Sequence, residues 1–376
     1  MKKTILVLLV MIFCFGSSGM AQVKYYNGLS AFSTVPAANG MGEVGVSFTG
    51  NNNFYFNPAN LGLLALENKI YISGYPQKTE IYYLEVYSGG LSIPLKLNDR
   101  LGIGFAYNYS KVGYSVPVTS YEFPLGTGEM AFFGDRYHRF TLGVGYKNKW
   151  ELAGGVNLTY VKEDLYAYGD KAVTFDFGLR AGYEFVSPLG ESGREILIMK
   201  PSVGYSYSNV GGSLNIPLLE GGYDFDLPDI VRYGFSFELT YQKQKQYFNI
   251  NKFSLLMAIE KEWINQINQN EPKYGFAVTV YELLILRIGT NDANEYDEKG
   301  FSIQLAGLRK AIQSNATGYN EDAFFNRFDI QFNYARQSEK VENLVYDSFE
   351  LQREAASSSY TTYNYDYYEL IFSFAL

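Results

Sequence analysis

Cysteine and histidine are almost absent from this 376-residue chain. Cys14 is the only cysteine and His138 is the only histidine. Because Cys14 lies in an N-terminal stretch predicted to be removed, the remaining chain can form no disulfide bond and no thiolate metal site. A catalytic triad or a zinc site would have to be built around His138 alone, which is better interpreted as a rim histidine. The sequence therefore predicts no enzyme, no metal site and no cofactor.

Basic residues are also in the minority. The chain has 31 Lys and Arg against 39 Asp and Glu, a net charge of −8. No basic stripe stands out, so nucleic acid is not expected as a partner. No phosphate-binding glycine loop occurs either, since the 37 glycines are scattered through segments of alternating polarity.

The N-terminus has the pattern of a secretory signal peptide, with cleavage predicted after Ala21. Two lysines precede an apolar core over residues 4–15, and small residues precede the cleavage point. The apolar core is well short of the roughly 20 residues that a membrane-spanning helix needs. Lipidation of Cys14 is disfavoured because a bulky phenylalanine precedes it.

From about residue 68 to the last residue, the chain reads as fourteen segments of alternating character. Large apolar or aromatic residues alternate with small, polar or charged ones. Because successive strand side chains point to opposite faces, each segment predicts a β-strand with one apolar face. The clearest segments are 101–110, 139–146, 173–185, 233–241, 327–334 and 368–376.

Two architectures produce such strands. A soluble sandwich or barrel packs the apolar face inward, whereas a membrane barrel turns it to lipid. The segment 368–376 ends at the last residue, as expected for a strand that closes a barrel against the first strand. The chain also has 35 tyrosines, many near predicted strand ends, where aromatic girdles form at lipid–water interfaces. We therefore predict an all-β fold, a transmembrane antiparallel β-barrel of about 14 strands over residues 68–376, in the outer membrane of a Gram-negative bacterium.

The lengths of the connections agree with this prediction at most positions. Outer-membrane barrels have short periplasmic turns and longer outer loops. Long outer connections are predicted near 111–136, 209–230, 261–272, 290–300 and 337–362, and short inner turns at 97–99, 147–149 and 281–283. The connection near 76–80 is short and the segment 309–325 is long, against this rule, which leaves the strand count open by two.

Charged residues on the small-residue face of the strands would point into the barrel lumen. An internal ion-pair network is the first interpretation of these residues, and ligand binding is the second. The lumen-facing candidates are Arg139, Asp176, Arg180, Glu184, Glu238, Arg327 and Asp329.

Residues 22–67 do not alternate, and we predict that they fold into the lumen as a hatch or plug. The alternative is a periplasmic tail. The segment contains Gly40-Met41-Gly42 and, further on, Asn57-Pro58-Ala59. Asn-Pro initiates turns, and proline suits the start of a short helix, here predicted through Leu66.

These motifs resemble the N-terminal hatch of the FadL-like outer-membrane barrels, in particular the PorV/PorQ branch linked to type IX protein secretion. The segments 281–289, 302–308 and 328–335 resemble strands of that branch. The resemblance implies fourteen strands, and it implies either transport of hydrophobic compounds or a role in secretion. The chain departs from the usual hatch pattern because Asn60 stands where glycine is usual and three asparagines precede the motif.

Three functions compete at this point. The first is a non-enzymatic accessory or carrier for protein secretion, which binds exported protein or the secretion machinery through the outer loops. The alternative is a FadL-like passive channel for hydrophobic small molecules, gated by the hatch. An outer-membrane enzyme is least favoured because one histidine would have to act as the base. The predicted lumen charges favour the secretion role.

Overall fold

The computed structural model describes residues 35–50, 52–79, 85–117, 130–165, 168–189, 194–216, 223–244, 249–264, 269–291, 296–308, 327–345 and 357–376. The predicted signal peptide, the start of the predicted hatch and the irregular segment 309–325 lie outside these residues. The N-terminal part holds helix α1 (Pro36–Asn39) and helix α2 (Ala59–Leu64). Two 3-10 turns, Asn53–Tyr55 and Ala65–Glu67, complete it.

The rest of the described chain is almost entirely β-structure. The strands are β1 (Lys69–Thr79), β2 (Glu85–Lys96), β3 (Leu101–Pro117), β4 (Met130–Lys147), β5 (Trp150–Leu165), β6 (Tyr168–Tyr183), β7 (Phe185–Leu189), β8 (Glu195–Val210), β9 (Ser213–Ile216), β10 (Tyr223–Asp226), β11 (Ile230–Gln244), β12 (Asn249–Ile264), β13 (Gln269–Val280), β14 (Leu284–Asn291), β15 (Tyr296–Gln304), β16 (Phe328–Val345) and β17 (Ser357–Ala375).

The strands form a closed antiparallel barrel of fourteen strands, which confirms the predicted fold class. Sequential neighbours pair all the way round, and β8 pairs with β11 across the intervening hairpin of β9 and β10. The short strand β7 continues the line of β6 and pairs with the first half of β8. Closure is made by β1 and β17, where Ile72 lies opposite Phe372 and Lys69 opposite Ala375. Each of the fourteen predicted segments falls in a different strand of the barrel.

Two predictions about where strands end are wrong in detail. Strand pairing extends far into the outer connections, because β3 and β4 pair as far as Pro117 opposite Met130. The backbone hydrogen bonds between β3 and β4 continue beyond the last lipid-facing residue. The alternation of apolar residues in the sequence therefore ends before the strands do. The segment 302–308 is strand only to Gln304, after which 305–308 form a helical turn. There the amide of Ala306 donates to the Asp329 carboxylate instead of to a neighbouring strand.

The two faces of the wall differ as the alternation predicts. The outward residues Phe140, Phe175 and Leu179 are 52%, 56% and 62% exposed. The inward residues Thr174 and Ser302 are fully buried. A belt of exposed apolar side chains round a closed barrel is costly in water, at about 25 cal/mol per Å², but is favourable against lipid. The barrel is therefore transmembrane.

Aromatic residues bound this belt at both ends on strands β3 to β6. At the side of the barrel where β1 begins and β17 ends, the rings of Trp150 and Tyr183 lie 4.7 Å apart. At the opposite end, which we call the outer end, the His138 ring lies 5.1 Å from that of Tyr109 and 6.0 Å from that of Tyr160. From Trp150 to Tyr160 the strand rises about 33 Å, or ~25 Å along the barrel axis at a tilt of ~40°. This height matches the apolar band of outer-membrane barrels.

Among the described residues, no helix is long and apolar enough to cross a membrane. The same residues contain no group of three or more side chains that could hold a metal ion.

Candidate functional site

The N-terminal residues 35–67 contact inward-facing residues of strands from opposite sides of the barrel. Most of these residues are buried. The segment approaches the wall closely at glycines. A Cβ on Gly62 of α2 would lie 2.2 Å from the backbone of Val144, and a Cβ on Gly145 would lie 2.3 Å from the backbone of Gly62. Small residues on the inner face of the wall therefore make room for backbone rather than for an open lumen.

The predicted Gly40-Met41-Gly42 motif lies against a different part of the wall. A Cβ on Gly40 would come within 3.0 Å of the backbone of Gly300 on β15. Gly42 adopts a φ of +75°, which favours glycine. A Cβ on Gly289 of β14 would lie 2.1 Å from the amide nitrogen of Gly42. Both glycines of the motif are thus required by the close contact with the wall.

Asn57 of the second motif fixes its own turn and also binds the wall. Its side-chain oxygen accepts a hydrogen bond from the Ala59 amide at 3.0 Å, as the sequence predicts for an Asn-Pro turn. Its side-chain nitrogen donates to the carbonyls of Val46, at 2.9 Å, and of Leu179 on β6, at 3.0 Å. Pro58 immediately precedes α2, which is followed by the 3-10 turn and so extends as far as the sequence predicts.

Asn60 is the residue that departs from the usual hatch pattern. Its side-chain nitrogen donates to the Gly45 carbonyl at 2.9 Å and to the Asn53 carbonyl at 3.3 Å. The asparagine therefore connects three parts of the N-terminal segment, which a glycine at this position could not do.

Glu260 on β12 is the main anchor of the segment. Its carboxylate accepts hydrogen bonds from three consecutive amides, those of Gly45 at 2.9 Å, Val46 at 2.7 Å and Ser47 at 3.2 Å. The residue is 2% exposed. Sequence reasoning missed Glu260, although its position two residues from the buried Ala258 places it on the inward face.

Arg180 on β6 holds the same turn from the other side. Its Nε donates to the Ser47 carbonyl at 2.9 Å, and its guanidinium also donates to the Thr49 hydroxyl. The Arg180 Nη2 lies 3.3 Å from the buried carboxylate of Glu151. This predicted lumen residue therefore binds the N-terminal segment.

A second ionic cluster connects Glu43 of the segment to the wall. Lys273 on β13 places its Nζ 3.0 Å from the Glu43 carboxylate and 3.1 Å from that of Glu262. Glu262 also pairs with Arg232 on β11, whose guanidinium lies 5.7 Å from the Phe56 ring centroid. The charges are paired and hydrogen-bonded, as buried charges must be.

Arg139 and Asp176, both predicted lumen residues, lie together. The Arg139 Nε is 3.9 Å from the Asp176 carboxylate, and the guanidinium stacks 4.2 Å from the ring centroid of Tyr55. Asp176 also accepts hydrogen bonds from the Asn157 side chain and the Asn209 amide, each at 2.8 Å.

Two other predicted lumen residues, Glu238 and Glu184, are linked through lysines to Glu151, the partner of Arg180. Glu238 pairs with Lys200 at 2.9 Å, and Glu184 pairs with Lys147 at 3.3 Å near the turn between β4 and β5. Arg327 and Asp329 line a wide opening at the end of the barrel that carries the chain ends.

Among the described residues, two adjacent spaces lie beside the segment. The opening is a vestibule of about 580 Å³, lined at its rim by Lys69 and Ala375. Deeper in the barrel, between the segment and strands β12 to β14, lies a cavity of about 220 Å³. The two spaces share the wall residues Glu238, Ser254, Thr279, Ile285, Gln304 and Gln331.

The inner cavity has one apolar wall and one polar wall. Met41 and Phe48 of the segment, with Leu256 and Ile285 of the barrel, form the apolar wall. Such a cavity suits a small apolar molecule that carries a polar group.

At the outer end, the β9–β10 hairpin folds against the inner face of the wall. Leu214 and Leu227 pack against Val161 and Ala172. The hairpin lies in the predicted outer connection 209–230 and covers the lumen on the side of strands β4 to β6.

No described protein family and no curated protein matches the chain. Among solved structures, the chain is similar to the Pseudomonas putida toluene transporter TodX, with 11% identity over 96% of this chain and 100% of that chain and a TM-score of 0.45. It is similar to the Ralstonia pickettii toluene transporter TbuX, with 12% identity over 91% and 98% and a TM-score of 0.49. A Pseudomonas aeruginosa FadL homologue gives 12% identity over 91% and 98% and a TM-score of 0.34.

Proposed function

We propose that the protein is a passive channel for small, largely apolar molecules in the outer membrane, with the N-terminal segment acting as the hatch. The observation that carries the proposal is the inner cavity, whose apolar wall is shared between the segment and the barrel. The cavity shares wall residues with the vestibule, so a molecule that passes the hatch would have a route to the periplasm. This is the function given as the alternative among the three that the sequence leaves in competition.

The buried charges of the lumen do not count against an apolar cargo. On sequence alone they favour protein handling. Glu260, Arg180 and Lys273 instead have their charged groups on the N-terminal segment. Their role is then to hold the hatch in one position, and the cargo would meet the surface made by Met41, Phe48 and Leu256.

The secretion-accessory function rests on the motif resemblance to the PorV/PorQ branch alone. The outer connections 118–129 and 346–356, which would contact an exported protein, lie outside the described residues. We therefore take a secretion role as the competing outcome of the experiment and not as a second proposal.

The experiment blocks the cavity without changing the lipid-facing surface. Thr279 lines both spaces, and Val278 is its neighbour on the outer face, opposite the exposed Leu286. T279W should reduce whole-cell accumulation of a radiolabelled fatty acid or aromatic hydrocarbon at equal protein level. V278W is the matched control and should accumulate both compounds like the wild type.

The result that overturns the proposal is unchanged accumulation of every apolar compound tested, both in T279W and in a strain that lacks the protein. A loss of exported proteins from the cell surface in that strain, with normal accumulation, would establish the secretion role instead.

A further inference from the structure

Four basic residues form one row across four neighbouring strands on the outer face of the barrel. In the strand register Lys111 lies opposite Arg136, Arg136 opposite Lys162, and Lys162 opposite Lys171. Each has the same parity as exposed apolar residues of its strand, such as Phe140 on β4. Lys171 is exposed and the other three are partly exposed. The row therefore points away from the lumen.

The row lies directly beyond the outer aromatic girdle. Tyr109, His138 and Tyr160 occupy the preceding outward position on β3, β4 and β5 and are themselves opposite one another in the register. Two residues along a strand correspond to about 6–7 Å. Since the aromatic girdle marks the lipid–water interface, the basic row lies at the level of the lipid headgroups.

The spacing and the charge of the row fit several phosphate groups at once. Neighbouring strands are ~4.8 Å apart, so the four basic residues extend over about 14 Å. The next position in the strand register beyond the row is occupied by two acids, Glu85 and Asp164, with glycines between them. Four bases against these two acids give this part of the sequence an excess of two positive charges, although the chain as a whole carries −8.

The opposite side of the barrel has a comparable position with a different charge pattern. There Lys299 lies opposite Arg336, and Arg336 lies opposite Asp366. The Arg336 guanidinium makes two hydrogen bonds to Asp366, at 2.8 and 3.0 Å. An acid thus ends that set and pairs with its arginine.

We propose that the row Lys111–Arg136–Lys162–Lys171 is a binding site for the phosphate groups of the phosphorylated glycolipid, lipopolysaccharide, in the outer leaflet. The acyl chains would lie on the apolar belt below the girdle, and the sugar–phosphate headgroup would rest on the row. Basic clusters at a membrane surface bind anionic headgroups in this way, and each charge adds to the binding. The aromatic rings between the two levels fit the boundary between acyl chains and sugar.

The test measures glycolipid binding to the purified full-length barrel in neutral detergent. R136Q/K162Q removes the two central charges of the row. K299Q/R336Q removes two outward charges on the other side and is the matched control. The probes are lipopolysaccharide, the same glycolipid after dephosphorylation, and phosphatidylglycerol, with native mass spectrometry as the readout.

We expect R136Q/K162Q to bind lipopolysaccharide about tenfold more weakly than the wild type, with the control unchanged. Dephosphorylated glycolipid should bind the wild type as weakly as lipopolysaccharide binds the variant. Equal binding by the wild type and R136Q/K162Q would overturn the site. Equal competition by phosphatidylglycerol would also overturn it, because the row would then attract any anionic lipid. Heat-modifiable migration of each variant on gels verifies that the barrels compared are folded.

Discussion

The Val46 amide nitrogen lies 2.7 Å from a carboxylate oxygen of Glu260, and this contact joins residues 214 positions apart in the chain. Glu260 belongs to the barrel wall, and Val46 belongs to the segment that contacts the wall from inside. The same carboxylate also binds the amides on both sides of Val46. One side chain of β12 therefore fixes the backbone of a whole turn.

Replacing Glu260 by glutamine should loosen this turn. The amide oxygen can still accept from Val46 and Ser47, but the amide nitrogen would face the Gly45 N–H, which then has no acceptor. Leaving a buried donor without a partner costs about 1–3 kcal/mol. We expect E260Q to lower the free energy of unfolding by that amount and to raise single-channel conductance in planar bilayers. E238Q, at a carboxylate that binds Lys200 and no residue of the segment, serves as the control. A stability equal to that of the wild type would show that Glu260 is not an anchor.

The double substitution N57A/P58A should open the route for small solutes while the barrel still assembles. It removes both hydrogen bonds from the Asn57 side chain to backbone carbonyls and the proline that precedes α2. We expect faster entry of small solutes into cells at unchanged protein level. The control is N98A, since the Asn98 side-chain oxygen accepts from the amides of Arg100 and Leu101 in an exposed turn, as the Asn57 oxygen accepts from the Ala59 amide. Wild-type entry rates in an assembled double variant would mean that the motif does not gate the barrel.

Gly62 allows a direct test of where the segment lies. A methyl group there would overlap the backbone of Val144, whereas one on Gly74 would meet nothing within 4 Å. G62A should displace α2, and G74A should not. Because Cys14 is the only cysteine and lies in the predicted signal peptide, an A59C substitution gives a single labelling site. Maleimide labelling of A59C should be faster in the G62A background than in the G74A background, and equal rates would argue against close packing at Gly62.

Deleting residues 372–376 should block assembly. In these residues Phe372 pairs with Ile72 and Phe374 pairs with Ile70 in the strand register of β1 and β17 that closes the barrel. Without them two strand edges are left unpaired in lipid, where each unsatisfied backbone group costs several kcal/mol. The folded, heat-modifiable form should disappear from outer-membrane fractions. Removing Leu376 alone, which lies after the end of β17, is the control. Normal insertion of the shortened chain would contradict the role of this closure.

The lipid-facing belt can be tested at its middle. Leu179 is 62% exposed on the outer face, and L179R should reduce the stability of the folded barrel in bilayers by about 2–4 kcal/mol. Leu97, in the turn after β2, is 51% exposed, and L97R should cost about 0–1 kcal/mol because the arginine stays in water. Urea titration of the refolded protein in lipid vesicles measures both. Equal losses would show that the two positions share one environment.

Period-two alternation was sufficient to predict the barrel strands and their two faces. Phe372 and Ser373, for example, differ in burial as their spacing requires. The turn at Asn57 followed from the local chemistry of Asn-Pro. Glu260 was missed, since nothing in its neighbourhood distinguishes it from a solvated lumen residue. The strand beyond Gln304 was also mispredicted, because the helical turn there depends on Asp329, a residue distant in sequence.

What the sequence determines by itself is local and repetitive. The alternation of apolar and small residues fixes which face meets lipid, since it follows from the geometry of a single strand. Which carboxylate meets which amide is decided only by the tertiary structure, because barrel closure brings Glu260 and Arg180 from separate strands to one turn of the N-terminal segment. Charges that look alike in the sequence therefore divide between holding this segment, pairing with one another and lining the vestibule. Only the closed barrel sets the distances that separate these roles.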